Sequence, residues 1–237
     1  MALKTKQDIY GLATAGWEVS DTAENRSVGY TAEAQGPDGF LVAIDVGGEV
    51  TAPSVDYIAT ADATLSGVVL GSVKTVTGLG TVALGSVSIT TAAGQAPTMT
   101  ATGSSIEAGG TAGCTCTLGS ISVDHLYHAQ TFGLFTVSNG QLTQSTLTAT
   151  GEIATAMIDG VIKSSDLVGG SIEVSGTIIG VTDAGAISTP TITLSTPSGN
   201  VLAGVITQPL TETNPNGDYP TYTFTARWPL KADAKNP

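Results

Sequence analysis

"PTYTFTARW", Pro220 to Trp228, is the stretch on which the fold turns. Tyr222, Phe224, Ala226 and Trp228 alternate with Thr221, Thr223, Thr225 and Arg227. A period of two puts the first set on one face of an extended strand and the second set on the other. Proline opens the stretch, where its missing N–H costs a strand least. The same phrase occurs earlier. "GQAPTMTATG" begins at Gly94 and "GDYPTYTFTA" at Gly217, and each runs Gly, two residues, Pro-Thr, then Thr at alternate places.

The echo continues upstream. Asp38-Gly39 is matched by Asp159-Gly160, and Val46-Gly47-Gly48 by Val168-Gly169-Gly170. Three landmarks in one order, at an offset near 122 residues, point to a β unit used twice. Each unit reads as a strand, an Asp-Gly turn, a strand, a Gly-Gly turn, a long strand, one or two more strands, and the Pro-Thr strand. The expected layout is an N-terminal arm over 1–16, a first β unit over 17–103, a connector over 104–138, a second β unit over 139–231 and a frayed tail over 232–237. The connector holds the one helical candidate, "VDHLYHAQTFGLF", with Leu126, Ala129 and Phe132 on one face. The fold class that follows is all-β: antiparallel sandwich or barrel units, internally duplicated, with at most one short helix in the connector.

Composition narrows the function. The chain has 237 residues, 41% hydrophobic, 5% aromatic and 12% charged. A usual soluble domain carries about twice that charge. Thr, Ser and Gly take the place of charge on the surface, and a surface low in charge suits large interfaces. Acids outnumber bases 20 to 8, a net charge of −12. That field repels phosphates, which argues against tight nucleic-acid binding and leaves room for a surface that DNA passes without adhering. "MALKTKQDIYGLATAG" has no continuous apolar core of a signal peptide, and no stretch reaches the ~20 apolar residues of a membrane span. Synthesis and folding in a cytoplasm are expected, with no membrane partner. Two cysteines give no disulfide framework.

Catalytic constellations are scarce. "GLGTVA", Gly78 to Ala83, formally fits a dinucleotide fingerprint, but strand-like sequence follows where a helix is required. It reads as a glycine-rich β-turn. No nucleophile elbow, zincin helix or phosphate loop is present, and no pair of acids is singled out for proton transfer. Cys114, Cys116, Asp124, His125 and His128 fall within fifteen residues and carry zinc-ligand chemistry. Cys-x-Cys is not the usual knuckle spacing, and two thiols on one strand face serve equally as small core groups. The sequence therefore assigns no catalytic, cofactor or metal residue. "NRS" at Asn25 is a formal glycosylation sequon without a secretory context.

The Thr-rich alternating strands, the acidic balance and the closing "NPNGDYPTYTFTARWPL", Asn214 to Leu230, resemble the tail-tube proteins of tailed bacteriophages and the inner tubes of contractile injection machines. The likeness is one of style across residues 17–230. It implies a virion structural protein rather than an enzyme, with no small-molecule substrate. Its sheets would join those of neighbours in a ring, and rings would stack into a tube with an acidic DNA-conducting lumen. It implies a hexameric ring, or the same ring from three duplicated chains, other tail proteins as partners, and assembly in the host cytoplasm. Each half is shorter than a complete tube domain of that family. Another virion part, such as a capsid decoration, baseplate or fibre protein, fits the same features. A cell-surface β-repeat adhesin fits them less well without a secretory signal. "VGGEVTAPSVDYIATA", Val46 to Ala61, is expected to be an exposed hairpin contributed to such a lumen.

Overall fold

The computed structural model describes residues 6–14, 16–35, 37, 41–65, 68–107, 111–112, 114–119, 121–125, 128–195, 197, 200–213 and 219–231. The period-2 runs form strands. In chain order these are β1 (Trp17–Gln35), β2 (Leu41–Ala59), β3 (Ala63–Leu65), β4 (Val69–Leu70), β5 (Val73–Val76), β6 (Gly80–Ala92) and β7 (Thr98–Ile106). The middle of the chain gives β8 (Thr111–Ala112), β9 (Cys116–Thr117), β10 (Ile121–Val123) and β11 (Phe135–Ser138). The last part gives β12 (Gln141–Ile158), β13 (Val161–Ile179), β14 (Thr191–Leu194), β15 (Val205–Thr213) and β16 (Thr221–Pro229). The protein is all-β.

Eight strands lie side by side in one sheet, in the order β1-β2-β7-β6-β12-β13-β16-β15, all antiparallel. The order is one pattern written twice: a long hairpin, then the last strand, then the one before it. Register follows the same rule. Thr98 stands opposite Ile58, which stands opposite Glu18. Thr221 stands opposite Ile179, which stands opposite Gln141. Thr90 faces Thr98 as Thr213 faces Thr221. Even the bulges correspond: β1 slips between Val19 and Asp21, and β12 between Leu142 and Gln144. Pro97 and Pro220 each immediately precede the third strand of their array. Both arrays belong to one sheet, joined where β6 meets β12 over seven residue pairs, Ala92–Gln144 to Ser86–Thr150.

Because side chains alternate, each row across the sheet belongs to one face. Val55, Ala101, Val87, Ala149, Ile172 and Trp228 form one row. Tyr57, Met99, Ile89, Leu147, Val174 and Ala226 form the next on the same face. All twelve are buried. They are covered by Ile9 and Leu12 of the arm, Leu70 and Cys116 of the β4–β9 pair, Ile121 and Val123 of β10, and Phe132, Leu134 and Phe135, in one continuous core. The second layer is thus assembled from short pairs, β10–β3, β11–β14 and β4–β9, rather than from a second large sheet.

Three expectations change. The connector is not helical among its described residues: it contributes β8 to β11 and plugs the core. Phe132 (φ 56°) and Gly133 (φ 71°) take left-handed backbone, which interrupts a right-handed helix. Leu126 and Tyr127 lie outside the described residues, as do Asp38, Gly39 and the tail 232–237. The Gly-Gly pairs are not turns; Gly47-Gly48 and Gly169-Gly170 lie within β2 and β13. They mark close backbone approaches instead: the space where a side chain at Gly48 would go is filled by the backbone of Gly160, and at Gly170 by the carbonyl of Thr150. Finally, residues 46–61 are no free hairpin. Thr51, Val55, Tyr57 and Ala59 are buried, and Ser54 to Ile58 pair with β7. The Asp159-Gly160 reading stands: both have positive φ, 52° and 75°, in the two-residue loop between β12 and β13.

Candidate functional site

The uncovered face of the large sheet is its most regular feature. Asp56, Thr100, Ser88, Thr148, Glu173 and Arg227 form one row across six strands. Ser54, Thr102, Ser86, Thr150 and Ser171 form the row on one side of it. Thr98, Thr90, Thr146, Ser175 and Thr225 form the row on the other. Hydroxyls therefore repeat at about 4.8 Å across strands and about 7 Å along them.

Three pairs of these hydroxyls bond to one another. Ser86 Oγ and Thr102 Oγ1 are 2.7 Å apart, Ser88 Oγ and Thr148 Oγ1 3.1 Å, and Thr90 Oγ1 and Thr146 Oγ1 3.4 Å. Thr100 Oγ1 donates to Asp56 Oδ1 at 2.6 Å. Cross-strand pairs of this kind stabilise a sheet modestly, and here they also use up donors. Charge is sparse and mostly negative: Glu18, Asp21, Asp56 and Glu173 face outward with Arg227. A shallow cavity of ≈ 270 Å³ opens on this face among Gln144, Thr146, Ser175, Thr177, Gln208 and Thr225. Its side chains are amides and hydroxyls with one aromatic ring, Phe224, and none could act as an acid or base near neutral pH.

A second cavity, also ≈ 270 Å³, has Glu24, Arg26, Thr51, Ser105, Glu107 and Ile162 in its wall. Arg26 Nε donates to Glu24 Oε1 at 2.6 Å, and Lys163 pairs with Glu107. The Glu24 side chain is only 5% exposed, and its Oε2 is buried without a hydrogen-bond partner. Both Glu24 and Arg26 sit on β1, an outer strand of the sheet.

The zinc-type residues are not drawn together. Among the described residues, no group of three or more His, Cys, Asp or Glu is placed to hold a metal ion. Cys116 is buried in the core, where a thiol serves as a small apolar group. The Cys114 N–H donates to Asp166 Oδ1, the His125 N–H to Asp62 Oδ1 at 2.9 Å, and His128 lies 3.8 Å from Asp124. "GLGTVA" begins in the β5–β6 turn and runs into β6, with positive φ at Gly78 (88°) and Gly80 (81°). Asn25 of the sequon lies within β1.

One cluster escaped the sequence reading. Asp8 accepts backbone N–H bonds from Gly11 (2.8 Å), Leu12 (3.0 Å) and Ala13 (3.0 Å), and its Oδ1 also accepts the Tyr57 hydroxyl at 2.8 Å. Tyr10 donates to the Pro53 carbonyl at 2.7 Å. Burial pushes the Tyr10 phenol well above its ordinary range. Burial does the same to Tyr57, helped by its hydrogen bond to Asp8 and by the charges of Asp8 and Tyr10, against a smaller opposing effect of the Leu12 backbone. "DIYGL" carried the signal, an Asp three residues before a Gly, but nothing in it told that β2 lay beneath.

No protein-family model matches the chain, and no curated protein matches it.

Proposed function

We propose that this chain is a structural virion protein that assembles into stacked rings of a phage tail tube, with the uncovered hydroxyl face turned toward a DNA-conducting lumen. The observation that carries the reading is that face. It spans the sheet, it is flanked by two outer strands that have no partner strand among the described residues, and three pairs of its hydroxyls bond to each other. A phosphate backbone moving past it meets carboxylates that repel, and in the central row a single cation, Arg227, to hold it. An adhesive nucleic-acid surface has the opposite character, rich in Arg and Lys. The role is that of a scaffold: other tail proteins and further copies are the partners, and no substrate or cofactor is required. Other virion parts remain as rival outcomes of the test.

Negative-stain images of concentrated protein at high salt are the test. A net charge of −12 opposes close stacking, and screening shortens its reach to a Debye length of ~3 Å at 1 M. Stacked rings or tubes are expected, becoming more abundant with salt and concentration. Compact trimers or monomers under all these conditions would sink the tube reading and favour a decoration, baseplate or fibre protein.

A further inference from the structure

The sheet ends in two outer strands. On one side is β1; on the other is β15. By position, β15 is to the second array what β6 is to the first, since Thr213, Glu212 and Thr211 face Thr221, Tyr222 and Thr223 as Thr90, Ile89 and Ser88 face Thr98, Met99 and Thr100. By the same rule β1 is to the first array what β12 is to the second. Their bulges at Ser20 and Thr143 fix the alignment to the residue. The chain therefore already contains one example of how a β6-type strand meets a β12-type strand: the internal junction.

We propose that β15 of one copy of this chain pairs with β1 of another in the register of that internal junction. Carrying the β6–β12 pairs across gives three contacts. Thr213 stands opposite Ala23, as Thr90 stands opposite Thr146. Glu212 stands opposite Glu24, as Ile89 opposite Leu147, and Thr211 opposite Asn25, as Ser88 opposite Thr148. Thr213, Ala23, Thr211 and Asn25 belong to the uncovered face, so the seam continues the hydroxyl face from one copy to the next. Toward Gln208, β15 slips in register and carries Pro209, which has no N–H to give. The ladder stops there. The proline also fixes the register, because a slide of two residues would bring it into the seam.

The seam is built to be weak. Like charges directly opposite one another are unfavourable, and Glu212 faces Glu24. Arg26, already bonded to Glu24, is the diagonal neighbour that offsets part of this. A head-to-tail contact between unlike edges propagates in one direction, and it forms a ring when the rotation closes. The proposal rests on the register of the sheet and not on the tube reading.

Cross-linking is the test, in the full chain. Asn25 and Thr211 are both exposed, so Asn25→Cys with Thr211→Cys should fold. Under mild oxidation by diamide it is expected to give a ladder of dimers, trimers and higher multiples on non-reducing gels. Each single variant controls for Cys114 and Cys116. The pair Asn25→Cys with Thr213→Cys is diagonal, with Cα atoms beyond the ~7 Å that a disulfide spans, and should give little. A second measurement is sedimentation of Glu212→Gln, which should associate at several-fold lower concentration at low salt. An equal ladder from the diagonal pair overturns the register. No ladder from the opposed pair, whether the protein is oligomeric or monomeric, overturns the seam. Tubes without the ladder would remove the seam alone, and a ladder without tubes would remove the tube reading alone.

Discussion

Val55 faces Ala101 across β2 and β7, and Gly176 faces Phe224 across β13 and β16. The two pairs hold the same place in their arrays, and both are buried. One pair is medium and small; the other is smallest and large. The next pair repeats the choice: Tyr57 faces Met99 in the first array, with the bulk on β2, while Ile178 faces Tyr222 in the second, with the bulk on β16. What each place fixes is the combined volume of a cross-strand pair, because the core is packed to crystal-like density. Which strand supplies the bulk is free to drift. The cover differs accordingly. Phe135 stacks edge-on against Phe224, centroids 5.1 Å apart, whereas the arm reaches over Tyr57.

The most disruptive way to break this symmetry is Phe224→Ala. It leaves two minimal side chains opposite each other and removes the partner of Phe135. A loss of roughly 3–5 kcal/mol is expected in urea unfolding, the range for buried aromatics cut to alanine. A loss under about 1 kcal/mol would mean that the site collapses and that the pair does not hold the core. Transplanting the first array's pair is the sharper experiment. A Cβ at Gly176 would stand 2.5 Å from Phe224 Cε1 and 3.1 Å from Leu142 Cδ1, so Gly176→Val alone should overpack by roughly 1–3 kcal/mol. Combined with Phe224→Ala it should recover much of both losses, a coupling of about 2 kcal/mol. Strict additivity of the two changes would show that the arrays do not share one packing rule.

The same comparison explains what the sequence disclosed. Landmarks that depend on backbone geometry survive in both halves: Pro97 and Pro220 open equivalent strands, and Asp159-Gly160 needs positive φ. Core positions do not survive as letters, because volume can move from Gly176–Phe224 to Val55–Ala101. The echo was therefore audible in turns, prolines and strand glycines, while the strand order became legible only in the paired sheet. The helix reading failed at Phe132 and Gly133, whose left-handed backbone a hydrophobic period cannot announce. Gly-Gly misled because a glycine that admits a neighbouring backbone looks like one that makes a turn. The hydroxyl face was visible as alternating threonines, but its mutual hydrogen bonds are contacts between residues as far apart as Ser88 and Thr148. The arm's hold on Tyr57 likewise spans 49 residues.

The smallest expected effect separates the arrays by pH. Tyr57 and Ile178 are equivalents, and only the first can ionise. Folding raises the Tyr57 phenol above its unfolded value of 10.0, chiefly by burial, with Asp8 adding to the shift. Below pH 10 the phenol is neutral in both states, and this part of the stability is fully present. Above pH 10 the unfolded chain releases the proton while the folded chain keeps it, so stability falls with pH, by about 1.4 kcal/mol per unit for each such group. Tyr10 behaves likewise. Tyr57→Phe should cost roughly 1 kcal/mol at pH 7 through the lost bond to Asp8. It should then lose stability less steeply than the parent from pH 10 to 11, closing the gap by about 1 kcal/mol. Ile178→Val, at the matching place, should shift the whole curve and leave its alkaline slope unchanged. Parallel alkaline limbs for Tyr57→Phe and the parent would show that the phenol is not held neutral by the arm and the core. The difference between the two arrays would then be one of packing alone.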